Sequence, residues 1–313
     1  MIRAGLAALA LLGAAGALAQ PADDLERDDS LALSQLWRLA RASAGQCADA
    51  APLTGILVED SAVYADPALA ERAYGLAGPI FIGALAEGGP GAAAGLTVNL
   101  ALARIDGVRL ADWPAPRPHA FDRLYRAQAL MDGAAARDGK VVLVSADGRS
   151  FTVVAQPACR VALAIDDGKN YARAKAGAIR IGRAHLDETA GHPDWLAAMI
   201  AHEMAHAVLD HAARIAAAHN ATSTVRATEH EADRLSVWLL ARAGIDPRAA
   251  VEFQRGVIAR HNGFLTTDPT HGGWRERVRI IEAEIATMRA APDLDWATRF
   301  RRESYPWTMM TFR

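Results

Sequence analysis

The chain has 313 residues, 51% of them hydrophobic and 22% charged, with a formal net charge of −2. That composition describes a soluble globular protein with room for about two domains of ordinary size. A charge so near zero, with no long basic run, gives no footprint for a nucleic-acid partner.

The first twenty residues, MIRAGLAALALLGAAGALAQ, carry one positive charge at Arg3, an apolar run, and Ala17-Leu18-Ala19 before Gln20. This is the pattern of a secretory signal over 1–19, cleaved after Ala19. An uncleaved anchor is the alternative, but the run is Ala/Gly-rich and short for a span of about 20 apolar residues. No later stretch reaches that length, so the chain reads as exported and periplasmic, without an integral membrane span after cleavage. The two cysteines, Cys47 and Cys159, then point to one disulfide, with two separate buried thiols as the alternative.

Residues 20–52 form an N-terminal segment. Its acidic stretch 21–30 reads as mobile, and Leu31, Leu33, Leu36, Trp37 and Ala40 predict a short amphipathic helix over 31–43. From 53 to 157 the pattern changes to short apolar runs broken by Gly, Pro and Asp. TGILVED, GPIFIGAL, LALARIDGVRL and KVVLVSADGRSFTVVA read as strands, with Asp147-Gly148 as a hairpin turn and one helix over 120–131.

Within this segment PIFIGALAEGGPGAAAGL, then RIDGVRL, the 120–131 helix and the closing hairpin together resemble a PDZ domain. The match runs through Gly89-Pro90-Gly91-Ala92-Ala93-Ala94-Gly95-Leu96 and Asp106-Gly107, and departs at Val98-Asn99, where the family has Gly-Asp. The resemblance implies a peptide ligand added as a strand beside residues 79–84, its C-terminus held by the 75–78 loop. A PDZ-shaped spacer with an unused or self-occupied groove is the other reading.

From 158 to 313 long helical patterns take over. A strand at 178–182 (AIRIG) comes first, followed by helices over 194–218, 226–243, 247–261 and 274–290, with Gly244 and Pro247 separating the second from the third. The first of these helices contains His202-Glu203-Met204-Ala205-His206. On a helix, histidines at i and i+4 project from one face about one turn apart and can occupy two corners of a metal tetrahedron. Glu203 lies one step round the helix, placed to take a proton from a metal-bound water. In the next helix Glu229 and Asp233 share a face, whereas Glu231 points about 200° away from Glu229. Glu229 therefore ranks first as third ligand, with His230 as its competitor, and Asp233 falls behind to hold a ligand histidine. His211 is expected on a solvated face, and His219 at a helix C-terminus.

HEMAH followed by Glu229-His230-Glu231-Ala232-Asp233 is similar to the paired motifs of the M48 family of zinc metallopeptidases. Asn170-Tyr171-Ala172 leading into 178–182, and Thr270-His271 with Arg277-Val278, resemble two further family segments. Tyr171, Lys175 and Gly272 depart from the usual residues. The resemblance covers about 155–290. It implies one Zn²⁺ held by His202, His206 and Glu229, with Glu203 as general base and a polypeptide substrate lying along the 178–182 edge strand. Misfolded envelope proteins are the implied substrate class. His271 and Arg277 either stabilise an oxyanion or anchor their loop.

The expected fold class is α+β: a mostly helical, zincin-like domain with a small edge sheet, preceded by a β-rich PDZ-like domain. Two rivals stand beside the peptidase. One is a chaperone-like polypeptide binder with an occluded zinc site; the other is a purely structural zinc, which requires four protein ligands.

Overall fold

The computed structural model describes residues 16–114, 117, 120–166, 171–175, 177–261 and 272–300. The chain is mixed helix and strand with several small sheets. It opens with helix α1 (Gly16–Ala42), which takes in the acidic stretch expected to be mobile. One stripe of this helix, Leu33, Leu36, Trp37 and Ala40, is buried, as spacing of three and four residues requires, whereas Leu31 falls outside the stripe and is exposed. At its far end Arg38 donates to the carbonyls of Ala243 (2.8 Å) and Gly244 (3.1 Å), satisfying groups left open where a later helix stops.

The chain then enters a β-rich segment through β1 (Ala50–Leu53) and leaves it through β8 (Gln156–Cys159), and these two strands pair antiparallel with Ala50 opposite Cys159. A disulfide between Cys47 and Cys159, Cα atoms 5.5 Å apart, closes the same neck. The predicted cross-link is present.

Between them lie β2 (Ile56–Asp60), α2 (Pro67–Ala73), β3 (Ile80–Leu85), α3 (Pro90–Ala93), β4 (Leu102–Ile105), β5 (Val108–Arg109), α4 (Asp122–Asp138), β6 (Lys140–Ser145) and β7 (Ser150–Val154). β2 pairs with β3, and a second sheet has the order β5-β4-β6-β7. Ile82, Ile105, Met131, Leu143 and Val153 fill a core of their own between strands and α4. The β6–β7 hairpin turns at Gly148, φ +87°, as Asp-Gly predicts. Helix α4 runs past the expected 131 to Gly139, whose φ of +66° suits a residue without a Cβ.

The expected peptide position beside 79–84 is overturned. β2 holds one edge of β3. On the other edge Ile82 donates to Leu100 (3.1 Å), Asn99 donates to Ile82 (2.8 Å), and Phe81 bridges Ala101. With both edges bonded, β3 cannot take another strand. The strand that faces α4 is β2, and α4 covers it: Gln128 accepts from the Val58 amide at 3.1 Å, and Arg123 grips the fully buried Asp60 with two hydrogen bonds of 2.5 and 2.6 Å.

After the neck come β9 (Ala162–Asp166), β10 (Ala172–Lys175), β11 (Ala178–Gly182), α5 (Arg183–Asp187), α6 (Pro193–Leu209), α7 (His211–Ala217), α8 (Thr222–Arg242), α9 (Arg248–Phe253), α10 (Ala259–His261), α11 (Trp274–Ala290) and α12 (Trp296–Arg299). The sheet order is β10-β11-β9, with β11 parallel to β9 and antiparallel to β10. Residues 178–182 are thus the middle strand and not an edge, because β9 supplies a parallel partner that the sequence reading did not include. The edge beside α6 is β10.

Two expected helices are split. Asp210 adopts φ +55°, ψ +44°, which ends α6 and restarts the chain as α7. The 247–261 helix contains a π-turn over Gln254–Ile258. α6 is buried on nearly every face, by Leu196, Met199, Ile200, Ala201 and Met204 among others, so it is the central helix of the second core. The buried face of α1 belongs to that core too. Among the described residues no helix is long and apolar enough to cross a membrane.

Candidate metal centre

Pro193 starts α6 at its first turn, where a missing N–H costs nothing. About two and a half and three and a half helical turns further on, α6 presents His202 and His206, and α8 packs against it with Glu229 facing them. The two Nε2 atoms are 3.2 Å apart. Glu229 Oε2 is 3.4 Å from His202 Nε2, and its Oε1 is 3.3 Å from His206 Nε2. A tetrahedral ion with bonds of about 2.0–2.1 Å sets its donors about 3.3–3.4 Å apart. The nearest approaches match that spacing, one Glu229 oxygen toward each histidine, and with one donor atom from each residue the group lies within 4.8 Å and could hold a metal ion. His230, the competing ligand, lies outside it.

The expected supporting carboxylate is also in place. Asp233, one turn along α8 from Glu229, lies 3.1 Å from His202 Nδ1. Arg277 of α11 holds Asp233 with bonds of 2.7 and 2.6 Å, and its Nη2 sits 3.3 and 3.4 Å from the two ring nitrogens of His202. Arg277 is 5% exposed. Its Nη1 lies 3.7 Å from Glu229 Oε2, so Arg277 touches Asp233, His202 and Glu229 together. His271 lies outside the described residues, as do Asn170 and Thr270.

Electrostatics follow from crowding these groups away from water. Burial opposes ionisation of Glu229, but hydrogen bonds to His202 and His206 outweigh it and hold the carboxylate well below its usual range. Burial likewise disfavours a charged His202, yet Asp233 and Glu229 push its pKa up to about 10. At His206 burial wins and the pKa falls. Asp233 is held down, against its burial, by Arg277. Glu203 is 7% exposed and takes no place in the donor group. Burial first, and then the charge of Glu229, raise its pKa to about 7.

No protein-family model and no curated protein matches this sequence.

What the chain's own residues can do is nevertheless defined. Three donors with one tetrahedral position open leave room for a water or a substrate oxygen. Glu203, next to His202 in the α6 sequence and with its pKa raised to about 7, can exchange a proton near neutrality.

One residue was misplaced by the sequence reading. His211 is 1% exposed, not solvated. Its Nδ1 lies 2.9 Å from His206 Nδ1. The straight-helix projection fails because the left-handed Asp210 lies between them. The only local signal was the aspartate itself, a residue that tolerates this conformation better than most.

Proposed function

We propose that this chain is a zinc-dependent endopeptidase of the M48 type, acting on unfolded or extended polypeptide. The observation that supports it best is the convergence of His202, His206 and Glu229, whose closest nitrogen and carboxylate atoms approach pairwise to 3.2–3.4 Å, with the buried Glu203 beside His202 in sequence and outside the donor group. When bound, zinc would acidify a water and polarise a carbonyl. Glu203 would accept the proton of the attacking water and return it to the departing amine. Asp233, kept ionised by Arg277, fixes the tautomer of His202 so that Nε2 offers its lone pair. The substrate would lie as an added strand on β10, which pairs with β11 alone among the described residues.

Nothing comparable favours a polypeptide-holding function through the β-rich segment, because β3 has no open edge and Gln128 and Arg123 cover β2. The Cys47–Cys159 disulfide fits an exported, oxidising setting. The test compares the zinc-loaded chain with Glu203→Gln on an unfolded protein, zinc content being measured in both. Cleavage by the wild type and its loss by at least about 100-fold in the variant, with zinc retained, is expected for a lost general base. Equal zinc with no cleavage by either protein would refute the peptidase reading.

A further inference from the structure

His211 is used by nothing in the mechanism above, yet it is among the most buried polar residues of the chain. Its ring meets His206 edge-on, centroids 4.8 Å apart and planes at 82°, with the two Nδ1 atoms at 2.9 Å. Its other nitrogen, Nε2, is 3.3 Å from Glu231 Oε2, and the same oxygen accepts from Arg214 at 2.7 Å. Three elements converge here: α6 brings His206, α7 brings His211 and Arg214, and α8 brings Glu231.

We infer that His211, backed by Glu231 and Arg214, is a positioning residue that sets the tautomer and orientation of His206 and so the affinity of the metal centre. This rests on the metal-centre reading. The proton logic follows from the distances. If His206 offers the Nε2 lone pair to a metal, its proton must sit on Nδ1, and that N–H needs an acceptor. Among the described residues His211 Nδ1 stands 2.9 Å from that nitrogen, and accepts only when the His211 proton is on Nε2. Glu231 stands 3.3 Å from Nε2, out of line for a hydrogen bond, and its charge favours a proton there, while Arg214 keeps Glu231 in place. Deleting the ring leaves the His206 N–H buried without an acceptor and lets the imidazole rotate.

The two ligand histidines are thus supported unequally. Asp233 meets His202 directly at 3.1 Å, whereas the carboxylate serving His206 stands one imidazole further back. A neutral acceptor makes His206 the less basic, more weakly held ligand of the pair.

The experiment uses the full chain and zinc alone, with the dissociation constant measured by competition against a chromophoric chelator. The visible spectrum of the cobalt-loaded protein is recorded alongside. His211→Ala is expected to weaken zinc binding about 10- to 100-fold and to alter the cobalt bands. His211→Gln, whose amide oxygen can accept from His206, should recover binding to within about threefold of wild type. Glu231→Gln tests the same relay from a partly exposed position, should His211→Ala fail to fold, and is expected to weaken binding about threefold to tenfold. A folded His211→Ala that binds zinc like the wild type overturns the inference, as does an unchanged Glu231→Gln. His206→Ala separates the two levels. If it too binds like the wild type, the metal-centre reading itself falls.

Discussion

Glu59 shows how much a single side chain can reveal. It alternates with the buried faces of β2 and lies directly over Gly83, where any Cβ would collide with it. Burial, and then the charge of Asp29, raise its pKa from 4.5 to about 7. A folded-state pKa above the unfolded one means the contribution to stability is complete below about pH 4.5 and is lost as pH rises through about 7. At 1.36 kcal/mol per unit the loss has a ceiling of about 3 kcal/mol. Glu59→Gln should therefore match the wild type in urea at pH 4 and exceed it by about 1–3 kcal/mol at pH 8. Asp132, raised to about 6 chiefly by burial, acts in the same direction in both proteins, so the difference between them isolates Glu59. A variant less stable than wild type at pH 8 would show that the ionised carboxylate is paired and not stranded. Nothing in the sequence marks Glu59 as unusual, because its environment is assembled from β2, β3 and α1. The histidines and Glu203 were legible for the opposite reason: their geometry depends on one turn of one helix. Glu229 was legible as well, since its face of α8 could be ranked by periodicity alone. The partners of Arg277 and His211 come from other helices, and no spacing rule reaches them.

At the level of elements, the long helices and the central strands were legible, whereas short elements such as α2 and β9, the interruptions and the pairings were not. The 247–261 segment carries a regular helical pattern, but the chain inserts a π-turn at Gln254–Ile258, and Gly256 within it lies against the ring of Trp195. Two rules then give opposite signs for Gly256→Ala. Helix propensity predicts a gain of up to about 1 kcal/mol. Packing predicts a loss, because a Cβ there would enter the indole of Trp195, itself stacked on His192 with centroids 3.9 Å apart. Overpacking of this kind costs about 1–3 kcal/mol, so the net expectation is destabilisation. Thermal melting decides it: a Gly256→Ala protein that melts higher than wild type would mean that the ring moves aside freely. The same limit explains β11. Its apolar alternation marks a strand, but whether that strand is central or at an edge depends on β9, some fifteen residues upstream and parallel to it. Pairing is a tertiary property, so the open edge had to be reassigned from 178–182 to β10.

For the whole molecule, the order of segments along the chain is not their order in space. α1 precedes the β-rich segment, yet its buried face joins the core built around α6, and the chain returns through β8 alongside β1. Residues 54–155 are in effect an insertion whose two ends are clamped together. The Cys47–Cys159 bridge sits at that clamp and spans 112 residues of sequence. Closing a loop of that length removes about 4–5 kcal/mol of chain entropy from the unfolded state. At about 2.1 cal/mol/K of unfolding entropy per residue, each kcal/mol moves the melting temperature of a chain this long by about 1.5 °C, so full reduction should lower it by roughly 6–8 °C. Reduction is the better test than substitution, because Cys159 is fully buried and Cys→Ala would remove packing as well as the link. Since the β1–β8 ladder holds the same two ends without the sulfurs, the reduced protein should still fold, with its circular dichroism unchanged below the transition. A melting temperature that moves by less than about 2 °C would mean that the unfolded chain already keeps its neck closed, leaving the bridge no entropy to remove.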